Sequence, residues 1–154
     1  MGGRHGSRTA PCRDEFVLSR STNSMESPQE EARRHVLVVD DEPYIGRIIQ
    51  LKLDSDRYEV ETCADGTAAL DRLRGSDRID LILLDIMMPS MSGLEVLSEL
   101  RALPHRSATP VIMLTAKGQE TDRAQAESLG ASDFLTKPFS PKKLLARIDE
   151  IFDA

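Results

Sequence analysis

Five short runs of apolar or β-branched residues, each followed by a segment with helical spacing, constrain this chain more than any other feature. Runs of this length and composition are typical of strands that are buried on both faces of a sheet. Strict alternation of strand and helix predicts an α/β fold, in which right-handed crossovers place helices on both faces of a parallel sheet. The predicted strands are 36–39, 58–63, 81–84, 111–114 and 133–136.

Local signals predict where the intervening helices begin and end. Pro43 suits the first turn of the first helix, and Asp65 suits the N-cap of the second. Gly75 is expected to end the second helix, Pro104 the third and Gly130 the fourth. The fifth helix is expected to run to the end of the sequence.

Residues 1–33 differ from the rest of the 154-residue chain, because they are rich in Gly, Ser and Arg and contain little apolar sequence. Such a composition cannot bury enough surface to offset the entropy of ordering, so we predict a disordered tail before one domain at 34–154. The net charge of −6 and the lack of a basic, aromatic-rich strip argue against nucleic-acid binding. No apolar run approaches the ~20 residues of a membrane helix, and we expect a cytoplasmic protein.

Chemically reactive side chains follow four of the five predicted strands. Ligands of parallel α/β sheets bind beyond the carboxyl ends of the strands, so these side chains should meet at one edge. Converging carboxylates repel one another unless a cation joins them, and oxygen ligands of this kind suit Mg²⁺. A metal, an ammonium and a hydroxyl around one aspartate predict phosphoryl transfer onto that carboxylate. The residues are Asp40, Asp41 and Glu42 after the first strand, Asp85 after the third, Thr115 after the fourth and Lys137 after the fifth.

Each of these residues also has an ordinary structural interpretation. The acidic cluster before Pro43 suits a helix N-terminus through the helix dipole, and Thr115 could cap a helix. Asp85 could belong to a turn before Pro89, and Lys137 could be an exposed lysine beside a turn. The combination of all of them, each in register with a different strand end, favours the functional interpretation.

Four motifs resemble the response regulator receiver domain of two-component signalling: VLVVDDEP, LILLDIMMPSMSGLEVL, VIMLTAKG and FLTKPFSPKKLLARI, over roughly residues 34–153. The resemblance implies a flavodoxin-like, doubly wound sheet of five parallel strands in the order 2-1-3-4-5, with five helices. It implies that Asp85 is the phosphoryl acceptor. It also implies that Mg²⁺ is held directly by Asp41 and Asp85, largely through water by Asp40, and by the main-chain carbonyl of Met87.

The same resemblance assigns roles to residues of the last two strands. Lys137 would contact the acyl phosphate, and the Lys137–Pro138 peptide bond is expected to be cis. Thr115 and Phe134 match the switch pair of the family, in which a hydroxyl moves toward the phosphate and an aromatic ring turns inward behind it.

The implied function is a phosphorylation switch that accepts a phosphoryl group from a histidine kinase or a histidine phosphotransfer protein. It would catalyse its own phosphorylation and dephosphorylation without being a turnover enzyme. We expect no output domain, and signalling either through the face formed by helix 4, strand 5 and helix 5 or by a phosphorelay. One alternative is a pseudo-receiver that never takes phosphate, and the residues that argue against it are the intact Asp40, Asp41, Asp85, Thr115 and Lys137. A second alternative is a flavodoxin-like cofactor binder. The latter needs a Gly-rich phosphate loop, where this chain has DDEPYIG.

Charges on that face bear on self-association. Asp133 and Arg147 match one cross-subunit ion pair of related receivers. At another such position Arg123 would face Lys143, where the family usually has an acid. A like-charge contact reverses a modest attraction, so we expect a monomer or a weak dimer.

The lifetime of the phosphorylated state depends on the side chains two residues beyond Asp85 and Thr115. These are Met87 and Lys117, and neither offers the carboxylate or amide that would position an attacking water. We therefore expect a comparatively long-lived phospho-Asp85. The alternative is that both side chains simply point into solvent and leave the path of the water open.

Overall fold

The structure, a computed structural model, describes residues 33–54, 57–116 and 120–153. In this part of the chain five parallel strands form one sheet in the order β2-β1-β3-β4-β5, which confirms the predicted fold class. The strands are β1 (Arg34–Val39), β2 (Tyr58–Cys63), β3 (Leu81–Asp85), β4 (Val111–Thr115) and β5 (Asp133–Thr136). The helices are α1 (Pro43–Leu53), α2 (Gly66–Arg74), α3 (Gly93–Arg101), α4 (Glu120–Ser128) and α5 (Pro141–Asp153).

The signals read from the sequence act as helix caps in the structure. Pro43 stands in the first turn of α1, and the side chain of Asp65 accepts a hydrogen bond from the Ala68 amide at 2.8 Å. The third helix is shorter than predicted, since α3 ends at Arg101 and a 3-10 turn covers Pro104–Arg106. Its pattern of apolar residues continues to Leu103, but the residue before a proline is pushed into an extended conformation, which is observed there.

The core consists of two apolar layers, one on each face of the sheet. Alternate residues of β1 point to opposite faces, so Val36 and Val38 pack with α1 and α5, while Leu37 and Val39 pack with α2, α3 and α4. The strands in the middle of the sheet are buried on both faces, which explains why their sequences are continuously apolar.

The predicted tail, residues 1–33, is described only at Arg33. Residues 1–32 lie outside the described part of the chain. Arg33 is buried, and its guanidinium donates to Asp54 Oδ1 at 3.1 Å. Among the described helices, none has the length and apolar character needed to cross a membrane.

Candidate functional site

The carboxyl ends of β1, β3, β4 and β5 lie side by side at one edge of the sheet. The register pairs Val39 with Leu84, Asp85 with Leu114, and Thr115 with Thr136. The residues that end or follow these strands therefore fall at neighbouring positions, as predicted from the sequence.

Three carboxylates meet at this edge. One oxygen each of Asp40, Asp41 and Asp85 lies within 4.8 Å of the others. Asp40 and Asp85 are both only 4% exposed, whereas Asp41 is accessible to solvent. Three carboxylates this close together, two of them buried, repel one another strongly. The cluster therefore requires a neighbouring positive charge.

Lys137 supplies that charge from the end of β5. Its ammonium nitrogen lies 2.8 Å from Asp40 Oδ2, 3.1 Å from Glu42 Oε1 and 3.4 Å from Asp85 Oδ2. The Lys137 amide also donates to the Thr115 carbonyl at 2.6 Å, which ties the loop after β5 to the end of β4. The Lys137–Pro138 peptide bond is cis, as the resemblance implied.

The charges alter the acidity of the acceptor candidate. Burial and the neighbouring negative charge of Asp40 raise the pKa of Asp85 to about 6, although the Lys137 ammonium opposes this shift. Burial alone would lower the pKa of Lys137, but its contacts with Asp40, Glu42 and Asp85 outweigh burial and raise that pKa above its ordinary value. The lysine is therefore a permanent cation beside a carboxylate that is largely ionised at neutral pH.

The arrangement fits a hard divalent cation. Asp40 Oδ1 accepts from the Glu42 amide at 2.9 Å, but the buried Oδ2 has no hydrogen-bond partner among the described residues. The 2.8 Å approach of Lys137 to this oxygen is an ion-pair contact without hydrogen-bond alignment. A buried carboxylate oxygen without a hydrogen bond, beside two further carboxylates, suits Mg²⁺ better than a softer metal.

The fourth predicted ligand is a main-chain carbonyl. Met87 lies two residues after Asp85, and its amide donates to Asp85 Oδ1 at 3.3 Å. Met87 is 63% exposed. The role of the Met87 carbonyl in metal binding remains a prediction. Lys117 lies outside the described residues.

The proposed switch residues lie on adjacent strands. Thr115 ends β4 at the site and is 5% exposed. Phe134 pairs in register with Met113 and is 7% exposed, packed within the layer that includes α3 and α4. The Arg123 guanidinium lies 4.5 Å from the centre of the Phe134 ring. In this structure the ring is thus in a buried position.

The sequence interpretation missed the role of one residue that positions the site, Gly93, and the contact made by another, Glu42. A Cβ on Gly93 would lie 2.1 Å from the Asp85 carbonyl oxygen, so only glycine lets the start of α3 pack against the backbone of Asp85. The signal was available, because a glycine opens α3 directly after the loop that follows Asp85. Glu42 was predicted to be part of the acidic cluster, but its contact with Lys137 requires knowledge of the side-chain conformation.

The predicted cross-subunit pair is found within a single chain. Arg147 of α5 donates a short hydrogen bond to Asp133 of β5, and burial is partial for both side chains. In this structure the two side chains thus neutralise each other on the surface formed by α4, β5 and α5, which we call the α4–β5–α5 face.

Comparison with protein families gives a match to the response regulator receiver domain over residues 36–149. Over 118 residues the chain is 42% identical to the alkaline phosphatase synthesis transcriptional regulatory protein PhoP of Bacillus subtilis. The aligned residues cover 77% of this chain and 48% of PhoP. It is 41% identical over 113 residues to the transcriptional regulatory protein ResD of the same organism, covering 73% of this chain and 45% of ResD. The chain spans about half the length of the curated relatives it matches.

Solved structures share the fold at somewhat lower identity. The chemotaxis protein CheY4 of Vibrio cholerae superposes with a TM-score of 0.73 at 35% identity, over 78% of this chain and 99% of CheY4. The receiver domain of the sensor histidine kinase PA1611 of Pseudomonas aeruginosa superposes with a TM-score of 0.71 at 31% identity, over 80% of this chain and all of that domain. That structure has a magnesium ion coordinated in its active site cleft.

Proposed function

Because this chain belongs to the response regulator receiver domain family, we propose that it is a phosphorylation-dependent signalling switch whose phosphoryl acceptor is Asp85. Receiver domains accept phosphoryl groups and are not conventional turnover enzymes. The observation that carries the proposal is the environment of Asp85, a buried carboxylate 3.4 Å from a lysine ammonium and within 4.8 Å of the Asp40 and Asp41 oxygens. The site residues lie within the predicted domain, 34–154.

Asp85 acts as the nucleophile in the proposed reaction. One carboxylate oxygen attacks phosphorus, the bond from phosphorus to the donor nitrogen or oxygen breaks, and the leaving group takes the electron pair of that bond. The product is a mixed anhydride on Asp85. Nucleophilic attack requires the ionised carboxylate, and a pKa of about 6 leaves most of Asp85 in that form at neutral pH.

The surrounding residues stabilise the charge on the transferred group. The Lys137 ammonium can donate to one phosphoryl oxygen, and the Thr115 hydroxyl can donate to another once the acyl phosphate has formed. Asp40, Asp41, Asp85 and the Met87 carbonyl would hold Mg²⁺, which when bound neutralises charge on the phosphoryl oxygens. The acid cluster supports this assignment. Slow attack by water on the acyl phosphate would return the switch to its resting state.

Large exposed apolar side chains on α1, which begins at the site, and in the loop after Asp85 support a protein as phosphoryl donor. Tyr44, Ile48 and Leu51 of α1 are 59%, 42% and 75% exposed, and Met87 is 63% exposed. Clusters of this kind on an otherwise polar surface mark contacts with other proteins. We therefore assign phosphoryl donation to a histidine kinase or a histidine phosphotransfer protein, with the chain acting in the cytoplasm.

Output is assigned to protein contacts of the α4–β5–α5 face or to onward phosphoryl transfer, without direct binding to nucleic acid or membrane. The hydroxyl of Thr115 and the ring of Phe134 would carry the signal from Asp85 toward that face. The like charges of Arg123 and Lys143 on this face support a monomer or a weak dimer, because they would repel each other across a subunit interface.

The proposal is tested by incubating the protein with Mg²⁺ and a small phosphodonor such as acetyl phosphate, followed by intact-mass measurement. The wild type should gain the mass of one phosphoryl group, and Asp85→Asn should gain none. A wild type that stays unmodified at all donor concentrations would favour a pseudo-receiver instead.

A further inference from the structure

We propose that Glu42, oriented by Tyr44, is a latch that holds the Lys137 ammonium away from Asp85 in the resting state and thereby slows phosphoryl transfer. The inference rests on the proposed function of Asp85 and Lys137, and it assigns to Glu42 and Tyr44 a control over that reaction.

The contact of Glu42 with Lys137 directs the ammonium away from the acceptor. Lys137 Nζ donates to Glu42 Oε1 at 3.1 Å and lies 2.8 Å from Asp40, whereas its distance to Asp85 Oδ2 is 3.4 Å. An ammonium has three N–H donors, so a donor held by Glu42 is not available to a group on Asp85. A phosphoryl oxygen on Asp85 therefore competes with Glu42 for the position of the ammonium.

Glu42 is itself held in place from two sides. Its amide donates to Asp40 Oδ1 at 2.9 Å, which orients the backbone at the start of α1. Its second carboxylate oxygen accepts a hydrogen bond from the Tyr44 hydroxyl at 3.2 Å, which orients the side chain.

The contact is also weak enough to open. The Glu42 side chain is 43% exposed, and water competes for both partners of an ion pair at such a site. Lys137 is only 18% exposed and remains near Asp40 and Asp85 when Glu42 releases it. Release of Glu42 thus frees one donor of the ammonium beside Asp85 without removing Lys137 from the site.

Two effects of Glu42 on the rate must be separated. Its negative charge repels any anionic phosphodonor, and its hydrogen bond occupies the lysine. Glu42→Asp keeps the charge but shortens the side chain by one methylene group, which removes the reach to Lys137. Tyr44→Phe keeps both the charge and the side-chain length of Glu42 and removes only the hydrogen bond that orients it.

The experiment measures the initial rate of phosphorylation by acetyl phosphate at saturating Mg²⁺. The latch predicts rates about two- to fivefold faster for Glu42→Asp, and a smaller increase for Tyr44→Phe, as expected for loss of one exposed pair. Glu99→Asp, the same change at an exposed position of α3, should leave the rate unchanged. Equal rates for wild type, Glu42→Asp and Tyr44→Phe would overturn the latch. Slower phosphorylation of the two variants than of the wild type would also overturn it, because Glu42 would then assist Lys137. An increase confined to Glu42→Gln would also overturn it, because charge alone would then explain the effect.

A second measurement does not depend on phosphorylation. The latch predicts that, in metal-free protein, solvent exchange of the Lys137 ammonium protons, followed by ¹⁵N NMR, is faster in Glu42→Asp than in wild type. Unchanged exchange would contradict the contact itself. If the wild type accepted no phosphoryl group, the proposed function would fail in the first measurement, while the second would still report on the latch.

Discussion

The ammonium nitrogen of Lys137 lies 3.4 Å from Asp85 Oδ2, although β4 separates the strands that carry these two residues. Asp85 ends β3 and Lys137 follows β5, so the lysine side chain crosses the end of β4 to reach the acid. The same ammonium reaches Asp40, which follows β1. One flexible cation therefore joins charges from three strands, and the predicted consequences for stability, metal binding and signalling depend on this arrangement.

Asp85 is expected to lower the stability of the metal-free protein at neutral pH. Its pKa rises from 3.8 in a model peptide to about 6 in the fold, so the native state holds this proton more tightly than the unfolded chain. The destabilisation is absent below pH 3.8, grows between pH 3.8 and about 6, and is complete above that range. Asp85→Asn should therefore be more stable than the wild type by about 1–3 kcal/mol near pH 7.5.

Denaturant unfolding of both proteins in the presence of a chelator, near pH 7.5 and again near pH 4.5, measures this difference. The advantage of the variant should shrink as the pH falls. If the free energy of unfolding of the wild type equalled or exceeded that of the variant at the higher pH, the ionised Asp85 would not be destabilising.

Magnesium is expected to bind the acid cluster and to stabilise the fold. At ten times its dissociation constant the ion should raise the free energy of unfolding by about 1.4 kcal/mol. Asp41→Ala should abolish both this gain and the phosphorylation reaction, and because Asp41 is accessible to solvent the variant should still fold. Thermal unfolding with and without Mg²⁺ is the measurement. Normal phosphorylation of chelator-treated wild type would disprove the metal role.

Thr115 is expected to couple phosphorylation to the rest of the domain. Thr115→Ala should still accept a phosphoryl group on Asp85, but the environment of the Phe134 ring should no longer change, because no hydroxyl is drawn toward the phosphate. NMR signals of the Phe134 ring before and after phosphorylation test this coupling. Thr67→Ala, at an exposed position of α2, is the matched control. A normal Phe134 response in Thr115→Ala would remove the hydroxyl from the switch.

The Met87 side chain is expected to prolong the phosphorylated state. Met87 lies two residues after Asp85 and is 63% exposed. Its thioether cannot orient a water molecule by hydrogen bonding. Met87→Asn introduces an amide that can position the attacking water, so phosphorylated protein should decay faster after the donor is removed, and faster still when combined with Lys117→Glu. Met87→Leu keeps the apolar character and should decay like wild type. Equal lifetimes for Met87→Asn and wild type would disprove the effect.

The fold could be predicted from the sequence largely because its strands are buried on both faces. Continuous apolar runs mark β1, β3 and β4, and glycine, proline and aspartate mark the helix ends. Apolar periodicity does not encode which strands are neighbours, so the order β2-β1-β3-β4-β5 was available only through the resemblance to a known family. The end of α3 was predicted too late because the effect of Pro104 on the preceding backbone overrides an apolar pattern.

The members of the site could also be predicted, since parallel strands bring their carboxyl ends to one edge. The partners of each side chain could not, because they depend on side-chain conformations in three dimensions. The sequence places Glu42 beside Asp41, but only the structure shows that it hydrogen-bonds to Lys137. Likewise, Asp133 and Arg147 are far apart in sequence, and their pairing within one chain depends on how α5 packs beside β5.

The central claim, that Asp85 carries the phosphoryl group, is tested most directly by chemical trapping. Borohydride reduces an aspartyl phosphate to homoserine, so protein treated with acetyl phosphate and Mg²⁺ can be reduced, digested and sequenced by mass spectrometry. We expect homoserine at position 85 in the treated wild type and at no other aspartate, with none in protein that has not met the donor. Homoserine at another aspartate, such as Asp40 or Asp41, or its absence throughout the chain, would contradict the account.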